Sequence, residues 1–262
     1  MIKKTLSRPL RISPSAMNTF FKCSFQFKLS NIDEMMPDIG SDNLFAVLGT
    51  AIHKVSELND KFNFSYDELR KAFKFIFLSY MTDARFLPND IEYQSFLSRG
   101  YDLLRNTFEL KKRWKELKII DTERYYRVPY ENSFVKFVYL SAKIDLVLNN
   151  PINKTFIALD WKTAKTHNED IDNDLQLTFY IYFIHIIYGI SYENIFSALA
   201  YPHDIEVLFT QRVEKDVHQI MFEKIELMLL RIANDDFNKE PKISGDLNKC
   251  TFCPYINSCD KL

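Results

Sequence analysis

A short apolar segment that ends on two opposed charges limits this chain more than any other part of it. Lys154-Thr-Phe-Ile-Ala-Leu-Asp-Trp-Lys-Thr163 is rich in Phe, Ile and Leu and reads as a buried strand. Side chains alternate on a strand, so Asp160 and Lys162 share one face and Leu159 and Trp161 the other. A carboxylate and an ammonium at the end of a buried strand are costly unless they have a task. The preceding segment, 135–148, is also apolar and also carries an acid, Asp145. A hairpin through Asn149-Asn150-Pro151-Ile152-Asn153 would bring Asp145 and Asp160 to one point. Two carboxylates and a lysine meeting there suit a hard divalent cation and an activated water.

The resulting pattern, D-x(14)-D-x-K, resembles the PD-(D/E)xK nuclease superfamily, and its RecB-like branch in particular. Four further segments carry the likeness, in family order. Gly49-Thr-Ala-Ile-His53 is similar to a Gly-x-x-x-His motif, and Ser141-Ala-Lys-Ile-Asp145 to a Gly-x-Ile-Asp motif. Gln176-Leu-Thr-Phe-Tyr180 is similar to a Gln-x-x-x-Tyr motif, and Ser13-Pro14-Ser15 with Cys23 to an N-terminal segment. The resemblance implies an α+β fold: a restriction-endonuclease-like core with a central mixed sheet flanked by helices, a helical N-terminal region and a C-terminal cysteine cluster.

It also implies roles. Asp145 and Asp160 would ligate Mg²⁺ or Mn²⁺, joined by His53 and the backbone carbonyl of Trp161. Lys162 would orient or activate the attacking water and stabilise charge on the phosphate. Gln176 and Tyr180, one helical turn apart, would position the scissile phosphate or support the lysine. Apart from the resemblance, Glu123 sits in a strand of the core and could approach the metal, at most from behind the ligands. Each residue also has an ordinary structural reading: an ion pair for Asp160 and Lys162, a core histidine, plain packing for Gln176 and Tyr180. The activity implied is a deoxyribonuclease, an exonuclease on single-stranded DNA ends, in recombination, repair, replication or CRISPR adaptation. The alternative is a weak or inactive nucleic-acid-binding or assembly subunit of a larger complex.

Local signals set the expected elements. Ser13-Pro14 opens a helix to about Leu29, with Cys23 in its middle. Residues 30–43 read as a loop, and a second helix, Asn43 to Asp60, carries His53. Ser65 and Glu68 form a capping box for a third helix, to Met81. Leu87-Pro-Asn89 breaks it, and a long helix follows from Asp90 to Lys118. Strands 119–130, 134–148 and 154–161 read as an antiparallel meander. A helix from Asp170 to Tyr188 returns the chain across the sheet to strands 194–201 and 205–212, and a last helix spans 214–234. The expected organisation is one integrated domain: helical region 1–118, core 119–235, and a cysteine segment 236–262 packing back on the N-terminus.

With 262 residues, 47% hydrophobic, and 23 phenylalanines, the chain can fill a substantial core. No apolar run approaches the ~20 residues of a membrane span, and the start lacks a secretory apolar region, so a cytoplasmic protein without membrane contact is expected. Five glycines beside many Asn, Lys, Ile and Phe suit an A·T-rich genome, such as a phage or other mobile element. The net charge of −1 makes the whole molecule no general polyanion binder. Between residues 105 and 127, however, eight Lys or Arg face four acids, and Lys111, Lys112 and Arg113 are candidate DNA-backbone contacts. A solvated helix face is the other reading of that stretch. There is no P-loop, so a helicase or integrase partner would be a separate chain.

The four cysteines are Cys23, Cys250, Cys253 and Cys259, the last three spaced C-x2-C-x5-C. Spacing alone suggests a Cys₄ zinc site. The resemblance, here to the AddB nuclease domain and CRISPR adaptation nucleases, implies instead that all four hold one [4Fe–4S] cluster. Either metal would staple the chain end to the first helix.

Overall fold

The protein is described by a computed structural model covering residues 3–37, 44–83, 89–163, 170–243, 245, 250 and 253–261. Its elements in chain order are β1 (Leu10–Ile12), α1 (Pro14–Lys22) and α2 (Ser24–Phe27), then α3 (Leu44–Phe62), α4 (Tyr66–Asp83) and α5 (Asp90–Lys112). There follow β2 (Lys118–Tyr130), β3 (Val138–Asn150), β4 (Thr155–Trp161), α6 (Leu175–Tyr188), β5 (Ile195–Tyr201) and β6 (Glu206–Gln211). The chain continues with α7 (Glu214–Val217), α8 (Glu223–Ala233), α9 (Glu240–Ile243) and α10 (Ile256–Lys261). The fold is α+β with a mixed sheet in the order β1-β3-β4-β5-β6, and β2 pairs with β3. Among the described residues no helix is long and apolar enough to cross a membrane.

The chain forms two compact units: Met1–Ser41, Tyr125–Ala142 and Val213–Leu262 make one, and Asp42–Arg124 with Lys143–Arg212 the other. In the first, β1 runs parallel to the start of β3, pairing Leu10 with Val138 and Ile12 with Leu140. Ser13 caps α1 as expected, its hydroxyl accepting from the Ala16 amide at 3.2 Å. The long first helix does not form. Cys23 is extended (φ −161°, ψ 101°) and separates α1 from α2, which runs into a π-helical turn over 28–32 that takes up only the first three residues of the expected loop. The break is held from far along the chain: the Phe25 amide donates to the Asn238 carbonyl (3.0 Å), and the Ser24 amide and hydroxyl donate to Glu240 (2.8 Å each). The last helix is likewise interrupted by a π turn, at 218–222, between α7 and α8.

In the second unit β3 and β4 form the expected antiparallel hairpin, pairing Leu146 with Leu159 and Asn150 with Thr155. The chain returns through α6, so β5 lies parallel to β4, and β6 closes antiparallel on β5. α3, α4 and α5 enclose an apolar cluster that includes Val55, Phe73, Phe77 and Leu104. The Ser65–Glu68 capping box forms, with hydrogen bonds of 2.7 and 2.8 Å into the Glu68 carboxylate. The expected break before α5 lies partly outside the described residues. α5 stops at Lys112, short of Lys118. Its last turn tightens (Arg113 amide to Leu110 carbonyl, Trp114 amide to Lys111 carbonyl, 3.0 Å each), turning Trp114 and Leu117 into a core with Leu146, Leu159 and Trp161.

Gly100 permits the close approach of α4 and α5. A Cβ there would lie 2.1 Å from the Phe73 ring, which is fully buried and stacked on Phe77 at 5.4 Å. The ring cannot swing away, so overpacking should outweigh the gain in helix propensity. Gly100→Ala is expected to lower stability by about 2 kcal/mol in urea unfolding. An unchanged midpoint would show that the two helices do not meet here.

Candidate active site

The Asp145 and Asp160 strands diverge where they become acidic. Backbone pairing of β3 with β4 is complete at Leu146 and Leu159, and continuing that register would set Asp145 against Asp160. There the Trp161 amide donates to Asp145 Oδ2 at 2.8 Å, so a side chain takes over from the ladder. β4 stays attached on its other edge, the Lys162 amide donating to the Ala200 carbonyl at 2.8 Å. Both carboxylates are buried, Asp145 7% and Asp160 4% exposed.

Asp160 is fixed by three side chains. Its Oδ1 accepts from Gln176 Nε2 (2.6 Å) and the Tyr180 hydroxyl (2.8 Å), and its Oδ2 pairs with Lys162 Nζ (2.6 Å). Gln176 Oε1 accepts from Lys162 at 3.0 Å, and its Nε2 also reaches the Tyr180 oxygen at 2.6 Å. Gln176 and Tyr180 stand one turn apart on α6, whose start is fixed by the Asp174 carboxylate accepting from the Leu177 amide. Gln176, Tyr180, Asp160 and Lys162 thus form one connected network. Burial, then the Asp145 charge, pushes the Asp160 carboxyl up. Burial depresses Lys162, but the Asp160 charge and hydrogen bond outweigh it and raise the ammonium. Burial and Asp160 hold the Tyr180 phenol well above its ordinary value.

On the other side of Asp145 stands His53. Its Nδ1 lies 3.1 Å from Glu123 Oε1 and 3.4 Å from Asp145 Oδ2. Gly49, one turn earlier on α3, leaves room for Thr163, whose Oγ1 would be 3.1 Å from a Cβ there. That close approach seats the helix bearing His53. Sequence reasoning puts Glu123 behind the ligands; the structure brings its carboxylate in among them. Glu123 sits in β2 with φ +50°, in the left-handed region that few non-glycine residues adopt. An acid on a neighbouring strand is the only signal the sequence offers for it. Glu123 also pairs with Lys143, and these two cations outweigh burial to lower its carboxyl.

Among the described residues, His53, Glu123 and Asp145 are the one trio of His, Cys, Asp or Glu whose ligand atoms all lie within 4.8 Å of one another. Two carboxylates and an imidazole so close suit a Mg²⁺- or Mn²⁺-type ion, the nitrogen favouring Mn²⁺. Without metal, the histidine supplies the positive charge: burial opposes protonation, but Asp145 and Glu123 hold His53 up at about 10. Asp160 is outside this trio, turned toward the lysine.

Ligation needs neutral imidazole, so metal and proton compete at His53. Mn²⁺ affinity should therefore rise with pH, by up to about tenfold per unit below about 10. Calorimetric titration between about pH 6 and 8 checks this, and a flat profile would remove His53 from the ligands. In the metal-free protein the charge adds stability that is complete below 6.5 and fades as pH rises through about 10.

Lys111 lies inside the same unit. Its ammonium pairs with Asp60 and donates to the Ser56 carbonyl (3.2 Å), while the Thr122 hydroxyl joins Asp60 Oδ2 (3.1 Å) to the Asp145 carbonyl (3.4 Å). It therefore supports the strand of Asp145 and does not face solvent. Lys112 pairs with Glu109 in the open, and Arg113 donates to the Ile205 carbonyl at 3.4 Å. The basic stretch spans a helix, a turn and a strand, and Lys111, Lys112 and Lys115 line one cleft.

The four cysteines, in the first unit, all line one cavity and are half-buried and unpaired. The Cys23 sulfur accepts from the Gln26 amide at 3.4 Å, and its thiol donates to the Asn238 carbonyl at 3.7 Å. Burial pushes the Cys23 and Cys253 thiols up, so a bound cation would be needed to hold them as thiolates. Among the described residues, no three of these sulfurs draw within 4.8 Å of one another.

None of the curated proteins matches this sequence. A family model does, over nearly the whole length: residues 11–260 fit that of the PD-(D/E)XK nuclease superfamily, whose members are metal-dependent nucleases. The matched span takes in the diverging strands, the histidine helix and the Gln–Tyr helix alike, and the chain belongs to the PD-(D/E)XK nuclease superfamily.

Proposed function

We propose that the protein is a Mg²⁺- or Mn²⁺-dependent deoxyribonuclease that degrades single-stranded DNA ends as an exonuclease. The observation that carries this reading is the three-ligand cluster of His53, Glu123 and Asp145, with the Asp160–Lys162 pair beyond Asp145. His53, Glu123, Asp145 and Asp160, with the Trp161 carbonyl, would hold the ion, which supplies phosphoryl polarisation and an acidified water. Lys162 spends two ammonium protons on Asp160 and Gln176, and among the described residues the third has no protein partner. Because its pKa is raised, Lys162 remains cationic at neutral pH. It therefore orients water and neutralises charge on the phosphate instead of accepting a proton. Gln176 and Tyr180 position both partners of that pair.

The single-strand preference, the RecB-like affiliation and a setting in recombination, repair, replication or CRISPR adaptation follow from the motif order. A phage or mobile-element origin is proposed from the composition, a cytoplasmic location from the lack of a long apolar run, and a helicase or integrase on a separate chain from the lack of a P-loop motif. We assign the cysteines a [4Fe–4S] cluster. What supports a shared metal is that all four cysteines line one cavity; the choice of the cluster over zinc comes from the resemblance.

The test is anaerobic purification followed by Mg²⁺ and Mn²⁺ assays on end-labelled single- and double-stranded DNA. Metal-dependent shortening of single strands from an end is expected. No cleavage of any DNA would overturn the activity, and preferred cleavage of blunt duplex would overturn the substrate.

A further inference from the structure

The first unit carries a second chemically distinctive surface, on the open face of its strands. Leu10, Ile12, Tyr126, Val138 and Leu140 are buried on one side. Alternation puts Arg11, Tyr125, Arg127 and Tyr139 on the other. Register sets Arg11 beside Tyr139 on neighbouring strands. The Arg127 guanidinium lies 3.7 Å from the Tyr139 ring centre, and that of Arg11 is 5.8 Å from the Tyr125 ring. Arginine and tyrosine therefore interleave across three strands. Both arginines are exposed, and Tyr125 is 48% exposed.

Neither Arg11 nor Arg127 has a carboxylate partner among the described residues. Stacking on a ring occupies the flat of a guanidinium and leaves its N–H edge for an anion. Both arginines line one cleft with Arg8, Ser13 and Asn31. Arg8 is already spoken for, paired with Glu34 and donating to the Asn31 carbonyl at 3.0 Å. The positive charge left in the cleft thus comes from Arg11 and Arg127. Unpaired cations beside tyrosine rings match the two surfaces of an unpaired nucleic-acid strand, phosphates and base faces. A duplex hides its bases and would use the cations alone.

We propose that this Arg–Tyr face binds single-stranded DNA: Arg11 and Arg127 take backbone phosphates, and Tyr125 and Tyr139 stack bases. The assignment rests on the nuclease reading for the identity of its ligand. Its test does not depend on cleavage.

Binding of fluorescein-labelled oligothymidylate of ~15 nucleotides, a length suited to such platforms, would be followed by anisotropy in EDTA. Arg11→Glu with Arg127→Glu should weaken binding about tenfold or more and flatten the log-affinity against log-salt slope by about 1.4 units, at ~0.7 for each of the two phosphates on a single strand. Tyr125→Ala with Tyr139→Ala should weaken it about fivefold at unchanged slope. All four positions face outward, and circular dichroism melts will confirm the fold; Arg→Gln exchanges repeat the measurement with less perturbation. Wild-type affinity and slope in the arginine variants would overturn the proposal. An equal loss on a blunt duplex, with no loss in the tyrosine variants, would overturn its single-strand part. Wild-type protein that binds but does not cleave with Mn²⁺ leaves this face standing and removes the nuclease reading. Cleavage by wild type with full binding by the variants does the reverse.

Discussion

Asp160→Asn should leave the protein folded and reduce DNA cleavage at saturating Mn²⁺ by about a thousandfold or more. The exchange is isosteric, so the new amide oxygen can still accept from Gln176 and Tyr180, which now meet Asp160 at 2.6 and 2.8 Å. The other position would carry an N–H₂ facing the Lys162 ammonium, two donors where an ion pair stood. Lys162 would lose its anchor, and one anionic ligand would leave the metal. Several kcal/mol of transition-state stabilisation depend on such groups, which sets the expected factor. Folding should be spared because the native carboxylate is itself a burden. Buried near Asp145, Asp160 is driven toward its protonated form, so neutralising it relieves repulsion. The metal-free variant should melt no lower than wild type, a separation of activity from stability expected at a functional site. More than a tenth of wild-type turnover, with contaminating nuclease excluded, would sink the catalytic role of Asp160.

Cys253→Ser should abolish the brown colour and take iron from about four per chain to none. Four half-buried thiols around one cavity become a cost once their metal is gone, because two of them are held protonated by burial. A melting temperature lower by roughly 10 °C is expected for loss of a structural site in a chain this size. Mn²⁺ binding by His53, Glu123 and Asp145 should persist, since those residues belong to the other unit. Iron content equal to wild type would remove Cys253 from the ligands, and one zinc without iron in wild type would replace the cluster.

Local rules made much of this legible. The Asp145–Asp160 hairpin follows from apolar runs and a turn, and the Ser13 and Ser65 caps from side-chain chemistry within four residues. What escaped depends on distant partners. Helix propensity runs straight through Cys23, and among the described residues Asn238 and Glu240, over 200 positions away, hold the break. α5 ends early because Trp114 is drawn toward Trp161, 5.9 Å between rings. Glu123 lies among the candidate ligands with a positive φ that no residue pattern announces. Lys111 reads as one more surface cation until Asp60 is found beside it.

The interleaving of the two units along the chain also sets an order of events during synthesis. Everything that builds the ligand cluster and the lysine network has been made once residue 212 has been added. The cysteine-bearing unit still lacks residues 213–262 at that moment, and with them three of its four sulfurs. At ~5–20 residues per second the ribosome needs roughly 3–10 s to supply them. The residues of the candidate active site are thus all in place along the chain before Cys250 is added. A metal held by all four cysteines could enter only after Cys259 has been made.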